Sequence, residues 1–449
     1  VQTRPDASLP YVLALPLAAP IPPSPGSPDA AEGVATGHDG GSLSNENSYG
    51  RFLVASGPYM FEGSEKLDPS AAPEDQAPVS GLDPWKWDDK GGCCSVVHTG
   101  SMTLVRNPSW HPEDDPLRLA LADTITIEGG EGDQLFEEMA SGSLDLVFDG
   151  QPPPSTLSDY RADPQLRPLI AGAPGASVIT VAFFNIAMPP FDDVWMRRAV
   201  AFALDRSVFP PLAEASNGGI ATVAQHFSSD PLEGSLLSGW SGIPGQDGTS
   251  DVAAAREALA RSPYARGGRC VDPVCRNVPV IVGSVYRAAV GEIRHALAAV
   301  GIDADITVDE GAGAWVCADP EAHVAMCVGG GWSPDFPSAE NYVGAFFRSD
   351  GGGAATRTGA SSADLSAWGY DVTRVPTVDD RVDRCAQEVG ATQPACWARL
   401  DQYIVTQLMP AIPLVAISEL RVSSPSIGPI VWDGVYSQPA LDRMPAPRA

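Results

Sequence analysis

The stretch Phe183–Arg206, FFNIAMPPFDDVWMRRAVAFALDR, reads as the end of a strand, a proline pair, an acidic cap and an amphipathic helix. Val181, Phe183 and Phe184 are β-branched or aromatic residues suited to a pleated, half-buried surface. Pro189-Pro190 ends that strand, because proline brings no N–H to a ladder and fixes its own φ. Asp192 or Asp193 can then cap a helix whose polar positions, Arg197, Arg198 and Asp205, fall on one stripe. Val194, Val200, Phe202, Ala203 and Leu204 are left to face a core. On its pattern alone the stretch is a well-made helix start placed after a strand.

The flanking chain repeats that alternation. Upstream, Ser101–Pro108 alternates as a strand, Ile125 and Ile127 mark a second, and Leu144–Phe148 (LDLVF) reads as a third. Between the last two, Asp133–Ser141 has the 3.6 period of a short helix, with Gly142 placed to end it. Downstream, helices are expected at Asp251–Leu259, Ala288–Val300, Asp379–Val389 and Ala395–Gln407. Strands are expected at Val278–Val282, Ile302–Thr307, Val324–Val328 and Ala411–Ile417. Residues 350–363 are low in complexity and are expected to be mobile. Residues 62–100 read as a surface insertion. Strands alternating with helices over short connections indicate an α/β protein.

A chain of 449 residues exceeds what one core usually serves, so at least two compact units are expected. The net charge is −28, from 56 acidic against 28 basic residues. A field of that sign repels phosphate backbones and excludes nucleic acid as a partner. No run approaches the ~20 unbroken apolar residues of a membrane span. Val12–Ile21 is too short, is broken by prolines and lacks a positive leader, so it reads as structure.

Cys270 and Cys275, Cys317 and Cys327, and Cys385 and Cys396 each bracket a short loop, and three local disulfides formed in an oxidising compartment are expected. A loop closed over ~10 residues stabilises by roughly 2–3 kcal/mol in the entropic model. Cys93-Cys94 has no evident partner. No C-x-x-C knuckle occurs and the six histidines are scattered, so no metal site is expected.

The common enzyme signatures are missing: there is no G-x-S-x-G elbow, H-E-x-x-H helix, Walker loop or G-x-G-x-x-G turn. Acid pairs such as Asp114-Asp115 and Asp379-Asp380 lie in polar contexts and read as solvated faces or caps. Gly329-Gly330-Gly331-Trp332-Ser333-Pro334-Asp335 differs from these. It sets a carboxylate, an indole and flexible backbone at the C-terminal end of a strand, where open α/β sheets place ligands.

Taken in order, these pieces resemble the family 5 extracellular solute-binding proteins, the dipeptide- and oligopeptide-binding components of ABC importers. The ordered set begins with Ser56-Gly57-Pro58-Tyr59, Leu104-Val105-Arg106-Asn107-Pro108 and Ser141-Gly142-Ser143-Leu144-Asp145. It continues through Phe184-Asn185, Pro189-Pro190-Phe191-Asp192-Asp193-Val194, Arg197-Arg198-Ala199 and Leu204-Asp205-Arg206. Trp332-Ser333-Pro334-Asp335 and Pro410-Ala411-Ile412-Pro413-Leu414 complete it.

The resemblance implies an α/β, two-lobed periplasmic-binding-protein-like fold, type II and cluster C-like, that closes on its ligand about a hinge. The chain is then expected to be N-terminally incomplete, with the first lobe and peripheral domain partly missing. Residues 1–25 would be a remnant of the peripheral domain, 26–186 the first lobe, 187–409 the second, and 410–449 a return to the first. Asp335 takes the position of the acid that anchors a peptide's α-ammonium group, with Trp332, Ser333 and Gly331 beside the ligand. The implied partners are a peptide or other small solute and ABC permease subunits. The implied protein is an extracellular or cell-envelope monomer that needs no cofactor, and its membrane association rests on a lipid anchor absent from this chain. A sugar oligomer, a metal complex or an antibiotic-like molecule is the alternative solute, and a hydrolase or structural envelope protein the alternative class.

Overall fold

The computed structural model of the chain describes Ala7 and residues 57–66, 80, 86–88, 97–99, 101–130, 132–148, 150–217, 219–310, 314–351, 355–433 and 438–445. The 1–25 segment apart from Ala7, most of the 62–100 stretch and the Cys93-Cys94 pair therefore lie outside the described residues. The chain forms two compact units. One is built on Gly172–Leu420, the other on Pro16–Ala171 with Arg421–Asp433 and Pro439–Ala449.

In the smaller unit, β1 (Tyr59–Phe61), β2 (Ser101–Arg106) and β3 (Thr124–Glu128) form an antiparallel sheet in that order. Tyr59 pairs with Arg106, and the Asn107 side-chain amide donates to the Gly57 carbonyl at 2.9 Å. Two separated sequence motifs are thereby tied into one turn. Helices α1 (Gln134–Ser141) and α2 (Pro154–Ala162) cover a small core of Phe136, Met139, Val147, Tyr160, Leu169 and Val422. Gly142 takes the left-handed conformation that ends α1, as its position predicts. The expected strand Leu144–Phe148 is reduced to a single bridge between Leu146 and Ser423. Its carbonyls are met one at a time, Asp145 by the Ser424 N–H and Phe148 by the Arg421 guanidinium, so no ladder propagates.

The larger unit is organised on a six-stranded mixed sheet. Its strands are β4 (Val178–Phe184), β5 (Ile220–Val223), β6 (Val278–Gly283), β7 (Ala304–Asp309), β8 (Met326–Trp332) and β9 (Ala411–Ser418), in the spatial order β7-β6-β8-β4-β9-β5. β6 follows α4 (Val252–Leu259) and runs parallel to β7 and β8, with α5 (Val290–Ala299) in the crossover from β6 to β7, while β4 and β9 run antiparallel to their neighbours. β4 is central, and all its residues after Val178 are buried, which is why VITVAFF does not alternate and is apolar except at Thr180, whose hydroxyl is hydrogen-bonded to that of Tyr286 at 2.9 Å. β4 is bonded on one side to β8 and on the other to β9. The compact units divide at 171/172 and 420/421.

The stretch after β4 forms as its pattern predicts, with one revision. Asp193 caps α3 (Val194–Ala203), its carboxylate accepting the Met196 N–H at 3.0 Å. Arg197 does not share a solvent stripe with Arg198. It is 3% exposed, and its guanidinium donates to the carbonyls of Phe191 (2.6 Å), Leu408 (2.7 Å) and Met409 (2.9 Å). Leu408 ends the π-helical extension Ile404–Leu408 of α8 (Thr392–Tyr403), where carbonyls lack intrahelical donors. Burial lowers the Arg197 guanidinium to about 10, still charged at neutral pH. Arg206 is buried in the same way, donating to the carbonyls of Ala224 and Pro413.

The expectation of a mobile 350–363 stretch is also revised for residues 355–363. Thr356, Arg357 and Thr358 are each 2% exposed or less. Arg357 donates to the carbonyls of Cys317 and Asp319, and the Thr356 carbonyl accepts the Ile186 N–H, so a compositionally simple segment is packed by its one long polar side chain. All three expected disulfides are formed. Cys270–Cys275 closes a turn, Cys317–Cys327 ties the helix Ala314–Ala318 to β8, and Cys385–Cys396 joins α7 (Asp379–Gln387) to α8. Among the described residues, no helix is long and apolar enough to cross a membrane.

Candidate ligand-binding site

The glycines of β8 shape its C-terminal end. Gly329 has φ +109° and sits at a bulge, where the β8–β4 register shifts between Val328 and Gly330. A Cβ there would lie 3.1 Å from the Tyr286 ring as well as demanding a conformation that L-residues avoid. Gly331 is needed for a different reason. It pairs with Thr180 of β4, and a Cβ would lie 3.2 Å from the Ile179 carbonyl oxygen and 3.3 Å from the Thr180 methyl. The run therefore serves close passage of two strands as well as the loop that follows.

Beyond β8 the chain turns through Ser333-Pro334-Asp335 into α6 (Ala339–Phe347), which Ser338 caps by accepting the Glu340 N–H. Asn341, in the first turn of α6, organises this loop. Its Oδ1 accepts the Trp332 indole N–H at 2.9 Å and the Asp335 backbone N–H at 2.8 Å, while its Nδ2 donates to Asp335 Oδ2 at 3.2 Å. One amide thus fixes the indole, the loop backbone and the carboxylate together. Trp332 is half-buried against the main core, whereas Asp335, Ser333 and Gly331 are exposed. Among the described residues Asp335 Oδ1 has no hydrogen-bond partner, and no cationic side chain is bonded to the carboxylate. The loop presents an oriented anion beside an aromatic face, an arrangement suited to a protonated amine.

All four residues singled out from the sequence lie on this one segment, so their proximity is covalent, and the structure adds their orientation. Asn341 escaped the sequence reading. The signal available was an amide three residues into a helix that begins directly after W-S-P-D, where a side chain can reach back over the helix N-terminus.

The family model for bacterial extracellular solute-binding proteins, family 5 Middle, matches residues 2–354. No curated protein sequence is similar enough to count as a match. Among solved structures, one similar chain is "Clavulanic acid biosynthesis oligopeptide binding protein 2", at TM-score 0.66 and 21% identity, covering 99% of this chain and 69% of that one. The murein tripeptide binding protein MppA, in its unliganded open form, matches at TM-score 0.55 and 13% identity over 81% of this chain and 63% of its own. HbpA2 from Haemophilus parasuis matches at TM-score 0.55 and 14% identity over 81% of this chain and 64% of its own. The chain spans about two thirds of the length of these proteins, and at such identities the likeness concerns the fold. The family match covers well over half the chain, and the α/β fold agrees with it: the chain belongs to the bacterial extracellular solute-binding proteins, family 5.

Proposed function

We propose that this protein captures a peptide through its free α-amino group and hands it to the permease of an ABC importer at the outer face of the cytoplasmic membrane. The carrying observation is the Trp332–Asn341–Asp335 arrangement, in which a carboxylate is held in place while one oxygen stays available to a ligand. Similar proteins whose names specify an oligopeptide and a murein tripeptide support the peptide reading. So does a net charge of −28, which raises the local concentration of cationic ligands. The unit built on Gly172–Leu420, which carries the site, corresponds in this reading to the second of the two lobes.

A charge-assisted hydrogen bond from the ligand ammonium to Asp335 stabilises the complex by roughly 1.5–3 kcal/mol, which corresponds to about a tenfold to hundredfold change in Kd. Isothermal titration with a library of short peptides tests this directly. Asp335→Asn should weaken binding by that factor, and N-acetylation of the peptide should produce a similar loss in the wild-type protein. Equal affinity for free and acetylated peptides would rule out Asp335 as an ammonium anchor.

A further inference from the structure

Away from this loop, the larger unit buries a second group of polar side chains. His226 follows β5, Glu233 closes the short turn Asp230–Glu233, and Asp401 lies on α8. The Glu233 and Asp401 side chains are wholly buried, and that of His226 is 9% exposed. His226 Nδ1 lies 3.4 Å from Glu233 Oε2 and 3.5 Å from Asp401 Oδ2, and one ligand atom from each residue falls within 4.8 Å of the others. Among the described residues, His226 Nδ1, both Glu233 oxygens and Asp401 Oδ1 have no hydrogen-bond partner. Asp401 Oδ2 is held differently, accepting the backbone N–H groups of Phe227 (2.8 Å) and Ser228 (3.1 Å).

We propose that His226, Glu233 and Asp401 form a binding site for one divalent transition cation of the zinc class. The donor set of one imidazole and two carboxylates suits such an ion. Tetrahedral coordination with bonds of about 2.0–2.1 Å places ligand atoms about 3.3–3.4 Å apart. The two distances from His226 Nδ1 match that edge, and neither His226 Nδ1 nor Glu233 Oε2 makes a hydrogen bond among the described residues. On the opposite side of the ring, His226 Nε2 lies 3.2 Å from Asp230 Oδ1, the outer carboxylate that orients a ligating imidazole and leaves Nδ1 as the donor atom. The Asp230 side chain is 43% exposed, so the cluster opens to solvent on that side. A divalent charge offsets the cost of placing two carboxylates together in the interior. The bound ion would pin the connection after β5 to α8, a structural role distinct from ligand capture.

The test uses the full chain, stripped with a chelator, exchanged into zinc and passed through gel filtration before elemental analysis. Wild-type protein should retain one equivalent of zinc, and its Tm should rise with zinc but not with magnesium. Cobalt in place of zinc should show the intense visible bands of a tetrahedral site. Glu233→Gln removes the ligand charge with little change in volume and relieves the repulsion, so its metal-free Tm should equal or exceed that of the wild type, with no response to zinc. Asp230→Asn should weaken zinc about 10–100-fold while leaving the stoichiometry at saturation unchanged. His111→Gln, at an exposed histidine, should behave as wild type. Retention of the zinc equivalent by Glu233→Gln would overturn the proposal. So would the absence of a tight equivalent in the wild type, the three residues then forming only an imidazolium–carboxylate cluster.

Discussion

Asn341 bonds the Trp332 indole, the Asp335 backbone and the Asp335 carboxylate with a single amide, and no other natural side chain of its size offers the same donors and acceptor. Asn341→Ala should lower stability by about 1–2 kcal/mol, since the groups involved are partly solvated. It should also weaken peptide binding, because Asp335 loses its orientation while keeping its charge. Titration calorimetry on Asn341→Ala beside Asp335→Asn separates the two effects, and a double mutant no weaker than Asp335→Asn alone places Asn341 upstream of the carboxylate. Arg197 makes a purely structural counterpart. Arg197→Met would leave three carbonyls without their donor and should cost about 3 kcal/mol, read as a lowered Tm by scanning calorimetry. Arg197→Lys should recover only part of it, since an ammonium lacks the planar fork that reaches all three.

At the level of elements, β8 depends on its bulge and on a covalent tie. Gly329→Ala forces an L-residue to φ +109° against the Tyr286 ring and should destabilise by about 1–3 kcal/mol. A calorimetric scan on that variant, with ligand affinity measured below Tm, should show stability falling more than binding. Helices α7 and α8 are joined by Cys385–Cys396 across 11 residues. Replacing both cysteines by serine should lower stability by about 2–3 kcal/mol through the freed unfolded chain. Restoring thermal stability with a reductant-insensitive substitution at the same pair, or finding no Tm change on removing it, would contradict that account. These elements were largely legible beforehand. Capping, apolar periodicity and the spacing of cysteines act over a few residues, and Asp193, α5 and the three disulfides follow from them.

For the whole molecule, the net charge of −28 should act on the rate of capture more than on the bound state. Association of a Lys- or Arg-containing peptide should slow as salt rises, while an acidic peptide of equal length should bind more slowly at low salt and gain with screening. Stopped-flow fluorescence from Trp332 offers a readout. A saturating ligand should also stabilise the protein, by about 2.7 kcal/mol at a hundredfold excess over Kd, and a peptide that binds without raising Tm would contradict binding to the native state.

The sequence by itself determined the alternation of strands and helices, the disulfides and the segment that carries Trp332 and Asp335, because each rests on neighbours in the chain. Tertiary structure alone decided what distant residues share. The Met409 carbonyl that Arg197 meets is 212 positions away, so a helix stripe counted by period placed that arginine on the wrong side. The place of β4 at the centre of its sheet was invisible because a strand's neighbours are set by sheet order, and β4 finds both of its partners far downstream. His226, Glu233 and Asp401 form no motif in the sequence, since the last of them reaches the others only when α8 packs against the connection after β5.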